Sequence, residues 1–244
     1  MRKLKCLLAS VLCPLSSGIC LLASVFGVTM KLFAVRIWQL VAGLFLFALG
    51  IVLMIMADIG YAPWEVFHVG LALSAGISIG MASIIAGVFV VALVTVLGEK
   101  LGLGTILSMV LTGVFIDMIM FLNIIPRAKH WAVGIMMLIL GLFIVALGSY
   151  FYIKSAFGAG PRDNLMVVLN RKTKLPVGVC RSMVEFFVTL AGWLLGGMVG
   201  VGTVISVVAI GFCVQIIFGA FKFDATAVNH ETLRQTYRNL VDRK

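Results

Sequence analysis

A chain of 244 residues that is 62% apolar and 11% charged, with mean hydropathy +1.19, lies outside the range of soluble globular proteins, which run near about half apolar and about a quarter charged. These figures exclude a water-soluble domain and define a polytopic membrane protein. Nineteen Lys and Arg against nine Asp and Glu give a formal charge of +10; loop charge bias and anionic lipid account for it, so no nucleic acid partner is implied.

The opening 29 residues, "MRKLKCLLASVLCPLSSGICLLASVFGVT", have the basic start and apolar core of a signal peptide but no small-x-small site and no lipobox. Cleavage would also leave Lys31 and Arg36 outside, against the charge bias described below. Two readings stand: a seventh, less regular span carrying Pro14 and Gly18, or a start at Met30, where "MKLFAVRIWQLVAGLF" has the basic flank and tryptophan anchor of a complete first span. The second is preferred.

A helical span needs about 20 mostly apolar residues, because every backbone amide must be satisfied within the segment. Uncharged runs cover 37–57, 77–98, 131–153 and 199–221. Two further runs are interrupted, 101–125 by Asp117 and 177–198 by Arg181 and Glu185. Six spans are therefore expected. No segment between or beyond them exceeds about 25 residues, below the ~40 at which small soluble domains need extra staples, so function resides in or at the bilayer. From residue 224 the tail reads as a short cytoplasmic amphipathic helix, capped by Asn229 with Leu233, Tyr237, Leu240 and Val241 on one side. The five cysteines lie in or at the ends of apolar runs without CxxC or metal-ligand spacing, so neither a disulfide framework nor a metal or cofactor site is expected.

The chain repeats itself. A shift of 98 residues, without a gap, places 43–120 on 141–218 with 23 identities in 78 positions. Eight of the eleven glycines in the first copy fall on glycine in the second, Pro63 falls on Pro161, and "GLGT" (102–105) falls on "GVGT" (200–203). Three spans per copy would turn the second copy upside down in the membrane, the inverted-repeat arrangement of many transporters. Charge bears on this independently. Residues 58–80 hold no Lys or Arg, whereas the matching 156–178 hold Arg162, Arg171, Lys172 and Lys174. With Met30 and the C-terminus cytoplasmic, fourteen of the sixteen Lys and Arg beyond residue 29 lie inside and two, Arg127 and Lys129, outside. The organisation that follows is an apolar segment 1–29, repeat one at 30–125, repeat two at 126–222, and a cytoplasmic tail 223–244. The fold class is all-α, with two inverted three-span repeats, each carrying a short proline-started helix.

Those short helices begin at "GYAPWE" and "GAGPRD". Proline at the first helical position gives up only an amide that would be unpaired, and an acid in the first turn complements the helix dipole. The helices are expected to last about 15 and about 10 residues, too short or too polar to cross. One reading lays them in the interface, with Trp64 and His68 at headgroup level. The other makes them re-entrant half-helices whose amino ends point into a cavity between the repeats, as anion sites at helix starts do. Candidate substrate or coupling residues are Gly60, Pro63, Glu65 and His68 in the first copy and Gly158, Gly160, Pro161, Arg162 and Asp163 in the second.

Intramembrane polar groups add four more, since a carboxylate in hydrocarbon costs about 2.5 to 3.5 kcal/mol even on the lenient scale and so faces a cavity or a partner. Arg181 and Glu185 are spaced for an internal i,i+4 ion pair. Asp117 aligns with Gln215, and either could be a packing hydrogen bond between helices or a coupling group. "GEKLGLGT" and "GGMVGVGT" read as tight turns joining adjacent spans; "GLGT" lacks the lysine and strand context of a phosphate loop. No HExxH, no GxGD and no serine with a paired base occurs, so enzymatic chemistry is not expected.

The paired features "GYAPWEVFHVGL…GISIG…GLGT…GVFID" and "GAGPRDNLMVVL…VGVCRSMVE…GWLLGG…GVGT" resemble the YczE/YyaS/YitT-type family of bacterial integral membrane proteins, the YczE branch in particular, over residues 30 to 220. "GYAPWE" departs from the family pattern at Tyr61 and Ala62, and members usually begin near the equivalent of Met30. The resemblance implies a multi-pass protein of the bacterial plasma membrane and supplies no substrate or reaction. The function expected is a transporter or permease for a small solute, an anion among the candidates. The alternative is a non-transporting membrane protein that binds and stabilises or regulates a partner. The bilayer is the one certain partner; a homo-oligomer is compatible with the sequence.

Overall fold

The computed structural model describes residues 33–98, 102–158, 160–175 and 177–223. The expected N-terminal segment 1–29 and the amphipathic tail from 224 lie outside the described residues. Among those described, all regular structure is helical, with no strand. In chain order the helices are α1 (Phe33–Met56), α2 (Pro63–Ala75), α3 (Ile79–Val96), α4 (Leu103–Leu122), α5 (Trp131–Lys154), α6 (Pro161–Thr173), α7 (Val177–Leu194) and α8 (Val201–Ala220). Five of them, α1, α3, α4, α5 and α8, are long and apolar enough to cross a bilayer. The sixth expected run forms α7, a helix of 18 residues that carries Arg181 and Glu185 and is not among those five. The packing lies within one compact unit that begins at Gln39.

Both short helices have 13 residues, about 20 Å at 1.5 Å per residue, against a hydrocarbon core of about 30 Å. Each starts on its proline at N1 and stops on a left-handed residue, Gly76 (φ 66°) after α2 and Lys174 (φ 58°) after α6. The α6 helix outlasts the expected 10 residues because Arg171 and Lys172 continue it, where cations complement the carboxyl end of the dipole.

Helices in lipid gain little from apolar burial against one another, so close backbone packing decides which faces meet. The α1–α5 contact shows this twice. A Cβ on Gly43 would lie 3.0 Å from the Gly148 carbonyl oxygen, and one on Gly50 would lie 2.7 Å from that of Gly141. A shift of 98 turns Gly43 into Gly141 and Gly50 into Gly148, so the two contacts are counterparts.

The same reciprocity corrects the reading of "GLGT" and "GVGT" as mere turns. They open α4 and α8, and each receives the loop that precedes the short helix of the other copy. Gly104 N–H donates to the Phe157 carbonyl at 2.8 Å, and Gly202 N–H donates to the Ile59 carbonyl at 2.8 Å. These bonds satisfy first-turn amides that a helix leaves unpaired. The next residues, Gly60 (φ 114°) and Gly158 (φ 138°), adopt backbone angles that L side chains rarely reach and lie against Gly200 and Gly102.

One apolar core joins α1, α2, α4, α5 and α8 through residues such as Ile51, Ile55, Ile116, Leu138, Leu142 and Cys213; a second sets Trp64 of α2 against Val90, Val94, Leu165 and Val168. The outer faces carry exposed Phe89, Phe121, Phe186 and Phe212, as a lipid-facing surface requires.

Candidate functional site

Because the loops before α2 and α6 are pinned to α8 and α4, the amino ends of the two short helices are held near one another. Pro63 and Pro161 both line a cavity of about 300 Å³. Trp64 and Arg162, each following its proline, meet there: the guanidinium carbon lies 4.7 Å from the indole ring centroid. Arg162 Nη1 also lies 3.6 Å from Glu65 Oε1, longer than the roughly 2.7–2.9 Å of a hydrogen-bonded ion pair. Among the described residues, a planar guanidinium with five donors thus has one loose carboxylate and one ring face for company. One turn beyond Glu65, His68 is buried at 2% exposure and lines the cavity, and its Nδ1 finds no hydrogen-bond partner among the described residues. Burying such a group without a partner costs about 1 to 3 kcal/mol.

The walls add hydroxyls and a second ion pair. Ser83, Ser108, Thr112 and Ser206 line the cavity from α3, α4 and α8. Arg181 Nε donates to Glu185 Oε1 at 2.8 Å along α7, and both residues line the cavity. Two guanidiniums, two carboxylates and one imidazole therefore share a space otherwise bounded by apolar side chains. Such a cavity can hold a small charged or zwitterionic molecule by exchanging internal pairings for external ones. Among the described residues no group of three or more His, Cys, Asp and Glu is placed to hold a metal ion.

Of the sequence candidates, Pro63, Glu65, His68, Gly160, Pro161, Arg162, Arg181 and Glu185 come together on this cavity. Gly60 and Gly158 stand behind it as the turns that aim the short helices. Asp163 falls in the first turn of α6, with its side chain outside those described. Asp117 is elsewhere. It accepts from Gly80 N–H at 2.8 Å and Ser78 Oγ at 2.5 Å, and borders a separate cleft of about 710 Å³ with Tyr61 and Arg127. Gln215 sits exposed on α8. Trp64, Glu65 and His68 of α2 are all buried within the protein instead of lying on its surface. Sequence reasoning missed the wall hydroxyls; the signal was Ser108 and Ser206 coinciding under the 98-residue shift.

A helical bundle with five bilayer-length helices and a cavity lined by charged side chains is an integral membrane protein. The model of a family of unknown function (DUF6198) matches residues 34–218, and the chain belongs to that family. It is 34% identical over 176 residues to the uncharacterized membrane protein YczE of Bacillus subtilis (strain 168), covering 71% of this chain and 81% of that one. It is also 34% identical over 175 residues to an uncharacterized protein of Haemophilus influenzae, covering 70% and 79%, and 25% identical over 179 residues to the uncharacterized protein YyaS of Bacillus subtilis, covering 71% and 88%. No solved structure matches.

Proposed function

We propose that the protein is a non-enzymatic permease of the bacterial plasma membrane for a small solute with an anionic group, built from two inverted three-span repeats. The observation that carries this reading is Arg162, held over Trp64 and loosely paired with Glu65 where the amino ends of two half-helices converge on one cavity. An anion there gains the guanidinium fork and the positive ends of the helix dipoles together. Glu65 is the internal anion it displaces. The reciprocal contacts at positions 98 apart support the inverted relation of the halves, and the Lys and Arg count supports cytoplasmic placement of the Met30 side and the C-terminus. The burial of Glu65 and the position of Arg162 and Glu185 on the cavity wall favour transport over a partner-binding role, which would need these groups on the outer surface.

Two measurements test it. Ser74→Cys and Lys172→Cys occupy matching exposed positions near the ends of α2 and α6. On a background without native cysteines, an impermeant maleimide is expected to label the first from outside and the second from inside; labelling from one side overturns the architecture. Proteoliposomes are then screened with small radiolabelled anions, including acetate, lactate and phosphate. Uptake that Arg162→Ala abolishes supports the permease; no uptake above empty liposomes across the panel counts against it.

A further inference from the structure

The helices α4 and α8 are counterparts, and so are α3 and α7, yet only one of the two pairs is closed. On α4, a Cβ at Gly113 would lie 2.5 Å from Ile84 Cγ1 and 2.6 Å from the Gly80 carbonyl oxygen, both of α3. Asp117 tightens the same contact through Ser78 and Gly80. On α8, the counterpart Gly211 is exposed and a Cβ there would meet nothing within 4 Å. Ser182 of α7, the counterpart of Ile84, is exposed as well.

The cavity follows this difference. Along α4 its lining ends at Thr112, and the next inward residue, Ile116, is fully buried in the core. Along α8 the lining continues through Val214 and Phe218, the counterparts of Ile116 and Met120. The cavity thus reaches the far end of α8 where α7 stands away, and is sealed towards the Asp117 cleft where α3 is seated on α4.

We propose that the Gly211 face of α8 is a docking surface for α7, occupied in a second conformation in which α3 has left Gly113. The observed state has the α3–α4 gate shut and the α7–α8 gate open; the other state exchanges them. The argument for α7 as the occupant is the seated counterpart within the same molecule, and the small residues already in place at Gly211 and Ser182. Gln215, at the position of Asp117, supplies a side-chain carbonyl that can accept from first-turn amides of α7, which no residue before them in the helix can satisfy. A shut gate at one end and an open gate at the other is what a permease that exposes its site to one side at a time requires. The inference rests on the permease reading for its purpose, not for its geometry.

Cross-linking in native membranes tests it, with all five native cysteines replaced. Gly87→Cys with Met109→Cys reports the closed pair: the Cβ positions are 3.4 Å apart, near disulfide range, and the three atoms nearest a Cβ on Gly87 all belong to the flexible Met109 side chain. Ser182→Cys with Gly211→Cys reports the pair proposed to close. Under mild oxidation both disulfides are expected, each in its own double variant. In a chain with all four cysteines, peptide mapping is expected to find one or the other and not both. Formation of the first disulfide without the second, or of both in the same molecules, overturns the proposal. A second disulfide in a protein that moves none of the anions tried leaves the gates standing and removes the transport reading.

Discussion

Arg162 stacks on the indole of Trp64, and the two residues occupy the same position of the two repeats. Two arginines there would repel, and two tryptophans would leave the ends of the short helices without a cation. Divergence at this one matched position makes a contact worth about 0.5 to 2 kcal/mol out of a site that strict repetition would have spoiled.

Arg162 and Glu65 form a charge pair in which the acid is almost wholly buried. Arg162→Ala alone is expected to lower the unfolding free energy by about 3 to 5 kcal/mol, because it leaves a buried carboxylate without its counter-charge. Adding Glu65→Gln should restore part of that loss. Denaturant unfolding in detergent gives both values; a double variant as unstable as the sum of the singles would show that the pair is not coupled.

His68→Met installs the residue that repeat two carries at the matching position, Met166. It removes a buried nitrogen that has no partner among the described residues and is expected to raise stability by about 1 to 3 kcal/mol while lowering solute uptake. Loss of stability instead would reveal a structural bond to the imidazole. The readouts are unfolding free energy and proteoliposome flux on the same preparations.

Glycines of similar appearance should differ sharply. A Cβ on Gly197 would lie 2.1 Å from the Val66 carbonyl oxygen, a backbone atom, whereas Gly219 of α8 has open space. Gly197→Ala is therefore expected to destabilise by about 1 to 3 kcal/mol or more, as overpacking does, and Gly219→Ala to leave the midpoint of thermal unfolding within a degree or two or raise it slightly through helix propensity.

Asp117 is expected to act on packing rather than on binding. Asp117→Ala breaks two hydrogen bonds to a charged acceptor, each worth about 1.5 to 3 kcal/mol, and should loosen α3 from α4. Ser78→Ala removes one of these and the cap on Met81 N–H, a smaller change near the 1 kcal/mol of a lost cap plus its share of the Asp117 contact. Faster alkylation of Thr112→Cys in the Asp117→Ala background measures the loosening, and an unchanged rate would contradict it.

How much of this was legible in the sequence depended on whether the signal was local or relational. Apolar run length gave the long helices, and proline with a following acid gave both short ones, since each rests on backbone chemistry within a few residues. The 98-residue shift gave the counterparts, including Asp117 and Gln215. What it could not give was the broken symmetry: Gly113 and Gly211 look alike in sequence, and only packing shows one buried and the other bare. The burial of Glu65 and His68 was hidden for the same reason. Their neighbour Arg162 is almost a hundred residues away, and its ring partner Trp64 reads equally well as an interfacial anchor.

The two loop bonds, Phe157 to Gly104 and Ile59 to Gly202, have a consequence for how the chain is made. The first turn of α4 is threaded into the membrane long before residue 157 leaves the ribosome. Its amide must wait on water, lipid headgroup or the insertion machinery until the second half arrives. Each half thus completes a first turn of the other, and a chain cut before Phe157 leaves the Gly104 amide without its carbonyl.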